Sequence, residues 1–271
     1  MSGIFAVYHR DQEDAFEDIY FGLYALQHRG QETVGIATRQ QTTRIKIGQN
    51  LVKDNFDLRD GDFLAGTMGI GFIENNRHSI EMPIVLDDAI LTIDGLITNE
   101  GFTLLDLLNH LRQGGSACIN YLQSLQGGFA ICYMDHKGII AMRDQKGIKP
   151  LTLGQRGTST YVSSESCSIE AVGGEVLRDL APGEIIAVTS DKTHIYPSAD
   201  SPKVANVCAF EYIYFAREDS VMDGVSVYQA RYAMGEETAR EESHDFEEPT
   251  IVIGAPDSGL VAAMGYAHRA G

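Results

Sequence analysis

The hydrophobic and polar positions of the first 125 residues change between strand and helix periodicity. They predict an opening strand directly after the N-terminus, a helix at residues 11–27, a hairpin at 33–47 and two short helices within 102–125. In the first helix, apolar side chains recur every three or four positions, and acidic residues stand at its start, where they suit the helix dipole. Strands and helices are therefore predicted to be interleaved.

From residue 128 to 196 the pattern is that of short strands. Apolar runs are separated by glycine, proline and an Asp-His-Lys-Gly turn, which favours meandering antiparallel strands over βαβ units. The segment 196–203 is rich in proline and serine and is the predicted linker. We therefore expect a first domain at residues 1–200 and a second unit at residues 206–271.

The second unit has a different pattern. It shows a helix at 226–242, an apolar run at 250–255 that predicts a buried strand, a Pro-Asp-Ser-Gly turn at 256–259 and a final helix. A strand, a glycine-containing turn and a helix open many α/β domains, in which the helix-start amides hold a phosphate. The stretch after the turn is too short to close a parallel sheet, so this unit is expected to be the N-terminal fragment of such a domain.

The composition narrows the possible partners. The 271 residues carry a formal net charge of -17, from 38 acidic and 21 basic residues. This excess argues against nucleic acid and against an anionic membrane surface, because both would repel the chain.

The four cysteines show no C-x-x-C spacing, so we expect reduced thiols and a cytoplasmic location. No apolar run approaches the ~18 residues that span a bilayer, and the start lacks a secretion pattern.

A small hydroxyl residue, Ser2, stands second in the chain, immediately before the opening strand. Met1 ahead of a small residue is normally removed, which would leave Ser2 as a free N-terminus. Its hydroxyl and its α-amine would then combine a nucleophile and a base in one residue. Ser2 is therefore the candidate nucleophile.

Five blocks of sequence, spread over nearly the whole chain, point to one family. They are LQHRGQETVGIA (26–37), AMRDQKGIKPLTLG (141–154), PGEII (182–186), CAFEYIYFAREDS (208–220) and PDSG (256–259). Together and in this order they resemble amidophosphoribosyltransferase, the glutamine phosphoribosylpyrophosphate amidotransferase that performs the first committed step of purine synthesis.

The resemblance implies an α+β fold. The first domain would be a class II glutamine amidotransferase with the four-layer α/β/β/α sandwich of the N-terminal nucleophile hydrolases. It would be followed by the start of an α/β phosphoribosyltransferase-type domain. The resemblance also implies glutamine or another small metabolite as a ligand and assembly into a homo-oligomer.

The resemblance further implies a glutaminase site, from which this sequence departs. Family members carry a nucleophilic cysteine where this chain has Ser2, and a hydroxyl is a poorer nucleophile than a thiol near neutral pH. The family's G-H-x-R-Y-S block is matched to residues 66–71. This places Gly69 at the arginine that clamps the glutamine carboxylate. Arg77 and His78 are nearby alternatives, expected to lie in a solvated loop.

The oxyanion hole is altered as well. The family's H-N-G-N block, whose asparagine amide and glycine N–H form the hole, is matched here to I-D-G-L, in which Gly95 remains but Asp94 replaces the asparagine. Losing one donor costs about 3 to 4 kcal/mol of transition-state stabilisation, and a negative charge adds repulsion unless Asp94 is protonated or turned away.

Arg29 and Gly30 remain and are expected to shape the substrate pocket. The family's acidic S-D-x-E context, which holds the substrate ammonium, has no match in 99–126.

In the second unit, Asp257, Ser258 and Gly259 resemble the family's pyrophosphate-binding loop. The family's main phosphoribosyl-binding motif, an adjacent acidic pair followed by small residues, is absent from the sequence, so productive phosphoribosylpyrophosphate binding is not expected. Cys208 stands where some members place an iron–sulfur ligand, but one cysteine cannot hold a cluster. We expect no metal and no cofactor.

The altered positions leave three hypotheses. The first is an amidophosphoribosyltransferase-like protein whose degenerate glutaminase domain is a structural or regulatory module. The second is a serine-type N-terminal amidohydrolase or glutaminase, in which Gly69 and Asp94 build a pocket for a different, cationic substrate. The third is the N-terminal part of a longer phosphoribosyltransferase that uses ammonia.

Overall fold

Two compact units make up the chain, Met1–Val207 and Cys208–Gly271. The computed structural model describes residues 2–75, 82–199, 202, 204–243 and 250–271. The division falls a few residues beyond the predicted linker. The identification of the second unit as a phosphoribosyltransferase-like fragment stays a prediction.

Within the described part of the first unit, thirteen strands form two antiparallel sheets. In chain order the strands are β1 (Ser2–Tyr8), β2 (Thr33–Arg39), β3 (Thr43–Gln49), β4 (Met68–Glu74), β5 (Ile84–Leu86), β6 (Ala89–Ile97), β7 (Gly127–Asp135), β8 (Gly138–Arg143), β9 (Thr152–Arg156), β10 (Ser159–Ser163), β11 (Glu175–Asp179), β12 (Ile185–Val188) and β13 (Thr193–Tyr196). The first sheet has seven strands in the order β11-β9-β10-β1-β4-β2-β3. The second has six in the order β13-β12-β8-β7-β6-β5.

Short helices lie between these strands. They are α1 (Ala15–Ala25), α2 (Val52–Asn55), α3 (Gly61–Leu64), α4 (Leu104–Gln113), α5 (Gly115–Gln123) and α6 (Ser166–Ala171), with single 3-10 turns at Gln27–Arg29 and Leu58–Asp60. Among the described residues, no helix combines the length and the apolar character that crossing a membrane requires.

The two sheets face each other across a shared apolar core. Ile70 of β4 and Ile90 of β6 belong to this core. The outer face of the first sheet is covered by α1, whose Ile19 is fully buried there, and the outer face of the second sheet is covered by α4 and α5, with Leu111 buried against it. The predicted α/β/β/α sandwich is confirmed. After Ser2, strand β1 is largely apolar and buried, as suits a strand covered on both faces.

The predicted helix at 11–27 is shorter at both ends. The Asp14 side chain accepts the Phe16 N–H at 3.1 Å, so α1 begins at Ala15. After Ala25 the chain tightens into the 3-10 turn Gln27–Arg29. The hairpin and the meander are confirmed. Gly114, at φ 69°, separates α4 from α5 as expected.

The second unit is mainly helical. It contains a π-helical segment (Glu211–Phe215), a short hairpin of β14 (Val221–Met222) and β15 (Val225–Ser226), and the helices α7 (Val227–Glu241) and α8 (Gly259–Ala270). The two helices pack closely, each on the other.

The predicted buried strand at 250–255 is wrong. These residues have no regular secondary structure, and Ile251 and Ile253 are 83% and 85% exposed. An apolar run becomes a buried strand only where neighbouring strands pair with it and helices cover it. Among the described residues of this unit, no strand pairs with it.

Candidate active site

Ser2, the predicted nucleophile, begins β1 at the centre of the first sheet and is only 5% exposed. Its N–H donates to Asp94 Oδ1 at 3.0 Å, and its carbonyl oxygen accepts from Arg29 Nε at 3.0 Å. Its hydroxyl is buried and finds no hydrogen-bond partner among the described residues. Three predicted site residues from distant parts of the sequence therefore meet here.

Asp94 lies on β6 in the second sheet, is buried and is surrounded by cations. Lys149 Nζ is 3.2 Å from both of its carboxylate oxygens, and Arg29 Nη2 is 3.8 Å from Oδ2. Burial raises the pKa of Asp94, but the charges of Lys149 and Arg29 outweigh this and hold the pKa below its ordinary value. Asp94 is thus neither protonated nor turned away from Ser2. A charged carboxylate stands at the position predicted for the oxyanion hole.

A second ion pair lies behind Ser2. Arg29 Nη1 donates to Glu165 Oε1 at 2.6 Å, and His28 Nε2 lies 2.7 Å from the same oxygen. Burial raises the pKa of Glu165, but the Arg29 charge and the His28 hydrogen bond lower it well below its ordinary range. Arg29 is fully buried and donates to Ser2 and Glu165. Its guanidinium therefore links the start of β1 to Glu165, which follows β10.

Lys149 is held in place by its own loop, between β8 and β9. The Asp144 carboxylate accepts the N–H groups of Lys146, Ile148 and Lys149 at 3.0, 3.1 and 2.9 Å. Arg143 Nε donates to the Lys149 carbonyl oxygen at 2.8 Å. With its backbone fixed on both sides, Lys149 directs its ammonium to Asp94 without further rearrangement.

The two glycines predicted for the site have packing reasons to be glycine. Gly95 has φ 111°, and a Cβ there would lie 2.1 Å from the Gly128 carbonyl oxygen on β7. A Cβ on Gly30 would lie 2.5 Å from the backbone nitrogen of Glu74. Both residues are therefore required by the fold whether or not the site binds a substrate.

The structure does not bring Gly69 to Ser2. Gly69 lies opposite Val7 on β4, five residues and about 17 Å along the strand from the position of Ser2. A Cβ there would lie 2.5 Å from Ile19 Cδ1, because α1 covers this position. The expected placement of Gly69 in the Ser2 pocket is wrong. The β4 residue opposite Ser2 is Glu74, which is 3% exposed.

Glu74 is an acidic residue at the β4 position opposite Ser2. This position therefore offers no guanidinium for a substrate carboxylate. Glu74 Oε1 accepts the Met82 N–H at 3.3 Å. Arg77 and His78, named as alternatives for the clamp, lie outside the described residues.

Four charged or titratable residues of this site were missed by the sequence reasoning: His28, Glu74, Lys149 and Glu165. His28 and Lys149 stand within family-like blocks, and Glu74 ends an apolar strand. A charged residue at such a position indicates a buried ionic contact. Glu74 could be placed only from the strand register, which the sequence alone does not fix.

The predicted phosphate loop of the second unit lies at the start of α8. Its Gly259 N–H donates to the Ala255 carbonyl oxygen at 2.9 Å, and the Leu260 N–H donates to that of Asp257 at 3.2 Å. These two amides are engaged within the turn. Anion binding by Asp257, Ser258 and Gly259 stays a prediction.

The four cysteines are free thiols, three of them buried. Burial raises the pKa of Cys118 to about 11 and raises the pKa of Cys132 further. A protonated thiol is a poor metal ligand. Cys208, in the second unit, is partly exposed.

Comparison with known proteins agrees with this architecture. Residues 88–171 match the glutamine amidotransferase domain family. Over its whole length the chain is 36% identical to the amidophosphoribosyltransferase of Archaeoglobus fulgidus, of which it covers 65%. It is 31% identical to the amidophosphoribosyltransferase of Methanocaldococcus jannaschii, of which it covers 67%.

A solved structure is similar as well. The glutamine phosphoribosylpyrophosphate amidotransferase of B. subtilis, determined with ADP and GMP, matches 98% of this chain with a TM-score of 0.85 and 28% identity. The match covers 64% of that protein's chain. The chain thus spans about two thirds of the length of these relatives.

Proposed function

The chain belongs to the amidophosphoribosyltransferase family of purine biosynthesis, and from this premise we propose that its first unit is a degenerate glutamine amidotransferase that serves as a structural module. The observation that carries the proposal is the 3.0 Å contact between the Ser2 nitrogen and the charged Asp94 carboxylate. The contact bears on each step that glutamine hydrolysis requires.

The first step is activation of the nucleophile. If Met1 is removed, the Ser2 nitrogen becomes an α-amine that has to accept the hydroxyl proton. A carboxylate at hydrogen-bond distance favours the ammonium form of that amine. An ammonium has no lone pair with which to accept a proton, so the Ser2 hydroxyl lacks its base.

The second step is stabilisation of the tetrahedral intermediate. Attack on an amide carbonyl places a negative charge on its oxygen, and glutaminases meet that charge with hydrogen-bond donors. Here Asp94 is charged, and the nearby ammonium of Lys149 is already neutralised by it. The developing oxyanion would meet repulsion where it needs a donor.

The third step is recognition of the substrate. A glutamine α-carboxylate needs a cation beside the nucleophile, whereas the β4 residue opposite Ser2 is the acidic Glu74.

The same charges support a structural role. Ser2 belongs to the first sheet and Asp94 to the second, while Arg29 and Glu165 precede and follow strands of the first sheet. The hydrogen bonds and ion pairs among them join the two sheets at one end of the sandwich.

The proposal is tested by measuring glutamate release from glutamine with purified protein and with the Ser2→Ala variant. A catalytically active family member serves as the positive control, and intact mass establishes whether Met1 is present. We expect both proteins to release glutamate at the same background rate. Glutamate release that depends on Ser2 would show instead a serine-type glutaminase.

A second candidate function concerns the whole protein. The similarity to amidophosphoribosyltransferases runs through the second unit as well as the first. A longer polypeptide that contains this chain would then form phosphoribosylamine from ammonia and phosphoribosylpyrophosphate, with release of pyrophosphate. Its test is an assay of the natural full-length protein with phosphoribosylpyrophosphate and either ammonia or glutamine, in which only ammonia should support product formation.

A further inference from the structure

A surface groove of about 410 Å³ lies on one side of the first unit, beside an edge strand of each sheet. Its walls come from the β9–β10 hairpin, from Leu177 of the edge strand β11 and from Ile195 of the edge strand β13. Arg10, which follows β1, and Lys192, in the turn between β12 and β13, also line it. Sites for small molecules have this size.

The guanidinium of Arg10 forms no ion pair within the part of the chain that the structure describes. Its hydrogen bonds all run to neutral oxygens, which belong to the loops and strands around it. Nε donates to the Thr189 carbonyl oxygen at 3.0 Å, Nη1 donates to the Thr158 carbonyl oxygen and to Thr160 Oγ1, both at 3.0 Å, and Nη2 donates to Thr193 Oγ1 at 2.9 Å. These contacts fix the guanidinium in place and leave its positive charge uncompensated, so an anion in the groove would be stabilised by it.

The other charges of the groove do not cancel that of Arg10. Of the described residues that line it, Lys192 adds a second positive charge and Asp191 a single negative one. The nearby Asp11 accepts from Thr158 Oγ1 at 3.1 Å and is not part of the lining. The groove therefore carries a net positive charge in a chain whose formal net charge is -17.

A second groove, beside α2, shows the opposite arrangement. There Lys46 Nζ is 2.6 Å from Asp60 Oδ1, and Arg59 Nη2 is 2.6 Å from Asp57 Oδ2. Its cations are paired with carboxylates of the same groove, so an added anion would have to compete with them. Only a groove with an unpaired guanidinium is suited to an anionic ligand.

The walls of the Arg10 groove also expose apolar side chains. Leu177 is 45% exposed and Ile195 is 51% exposed. Leu177 is the residue that the pairing of β11 with β9 omits, since the register passes from Val176 to Arg178. Such a bulge redirects a side chain and is common beside binding sites. An apolar ligand group lying against these two side chains would remove their surface from water.

We infer that this groove binds a small organic anion, namely a carboxylate carried on a short aliphatic chain. The carboxylate lies at Arg10 and Lys192, and the aliphatic chain lies against Leu177 and Ile195. An inorganic anion would leave the apolar side chains exposed, and an uncharged aliphatic ligand would leave the guanidinium without a counter-charge. The groove is separate from the Ser2 pocket, because β1, about 20 Å long, has Ser2 at its start and Arg10 beyond its end.

The test is a titration of the purified protein with hexanoate, followed by the carbon-13 resonances of the leucine and isoleucine methyl groups. We expect saturable shifts of the Leu177 and Ile195 methyl resonances. Hexanamide keeps the chain without the charge, and acetate keeps the charge without most of the chain. Each should bind at least about tenfold more weakly than hexanoate.

Variants at the cations test the charged end of the groove. Arg10→Gln/Lys192→Gln should weaken hexanoate binding by more than about tenfold. The control Arg59→Gln/Lys53→Gln removes the same two charges from the groove beside α2 and should bind as the wild type does. Thermal unfolding checks that the variants are folded. Should the Arg10 variant unfold, Lys192→Gln alone is compared with Lys53→Gln, and it should weaken binding by about threefold.

Four results would overturn the inference. They are no saturation at millimolar hexanoate, hexanamide binding as tightly as hexanoate, equal affinity in the variant and its matched control, and shifts confined to methyl groups outside the groove.

Discussion

The backbone nitrogen of Ser2 donates to Asp94 Oδ1 across 3.0 Å, so the first residue of β1 is hydrogen-bonded to the opposite sheet. The charge of that carboxylate is balanced by Lys149 and Arg29. The contact that would leave the Ser2 hydroxyl without its base, in the function proposed above, thus also joins the two sheets.

Replacing Asp94 by asparagine should destabilise the protein. The Asp94→Asn change keeps the side-chain volume but leaves Lys149 and Arg29 without this carboxylate. Removing one partner of a buried ion pair costs about 3 kcal/mol. We expect the urea midpoint of unfolding to fall accordingly. The exposed Asp62→Asn should change the free energy of unfolding by less than about 0.5 kcal/mol.

A companion variant separates charge from packing. In Asp94→Asn/Lys149→Met the unpaired ammonium is gone, so part of the lost stability should return. If the double variant is as unstable as the sum of the two single variants, the pair is not coupled and this account of Asp94 is wrong.

Restoring a thiol should not restore glutaminase activity. In Ser2→Cys the nucleophile improves, but Asp94 still accepts from its nitrogen and the β4 residue opposite it is still the acidic Glu74. We expect glutamate release indistinguishable from that of Ser2→Ala in the same assay. A Ser2→Cys protein with measurable turnover would show that the serine is the only defect of the site.

The pH dependence of stability should reflect the ionisation of the Glu165 carboxyl group. Its pKa is lowered in the folded protein, so it contributes stability that is complete above the unfolded value of about 4.3 and is lost as the pH falls below it. We expect the free energy of unfolding to decrease as the pH falls from 5 towards 3. In Glu165→Gln this slope should be smaller.

Glu170→Gln is the matched control for that measurement, because Glu170 is exposed on the neighbouring helix α6. Its slope should equal that of the wild type. A Glu165→Gln protein with an unchanged slope would mean that the acid sensitivity arises elsewhere.

Gly95 tests whether a family-like position is kept for packing. In Gly95→Ala, the new Cβ would lie 2.1 Å from a β7 carbonyl oxygen at a φ of 111°, so we expect a loss of more than about 3 kcal/mol. Gly101→Ala has φ 72° but open space around it, and should cost only about 1 kcal/mol. Equal losses, measured by thermal unfolding, would leave Gly95 without a packing role.

Sequence reasoning placed the strands and helices of the first unit well, because their apolar periodicity is strong. It also brought Ser2, Asp94 and Arg29 into one site. It misplaced Gly69, because the match of short blocks fixed no strand register. A shift along β4 moves a residue by several ångströms per position.

In the second unit, the sequence pattern did not predict burial correctly. The apolar run at 250–255 has the composition of a buried strand, yet Ile251 and Ile253 are exposed. Periodicity reports what a segment is suited to do, whereas burial depends on partners that local sequence does not contain. For the same reason Lys149 and Glu165 could be assigned to the site only after the loops were placed in space.

The paired charges at Ser2 also bear on how this protein can change over generations. An amide at position 94 would suit glutamine chemistry, but it would leave Lys149 and Arg29 without this carboxylate. If the first unit is the structural module proposed above, that single substitution would lower stability without giving activity. The ion pairs would then make loss of a glutaminase easier than its return.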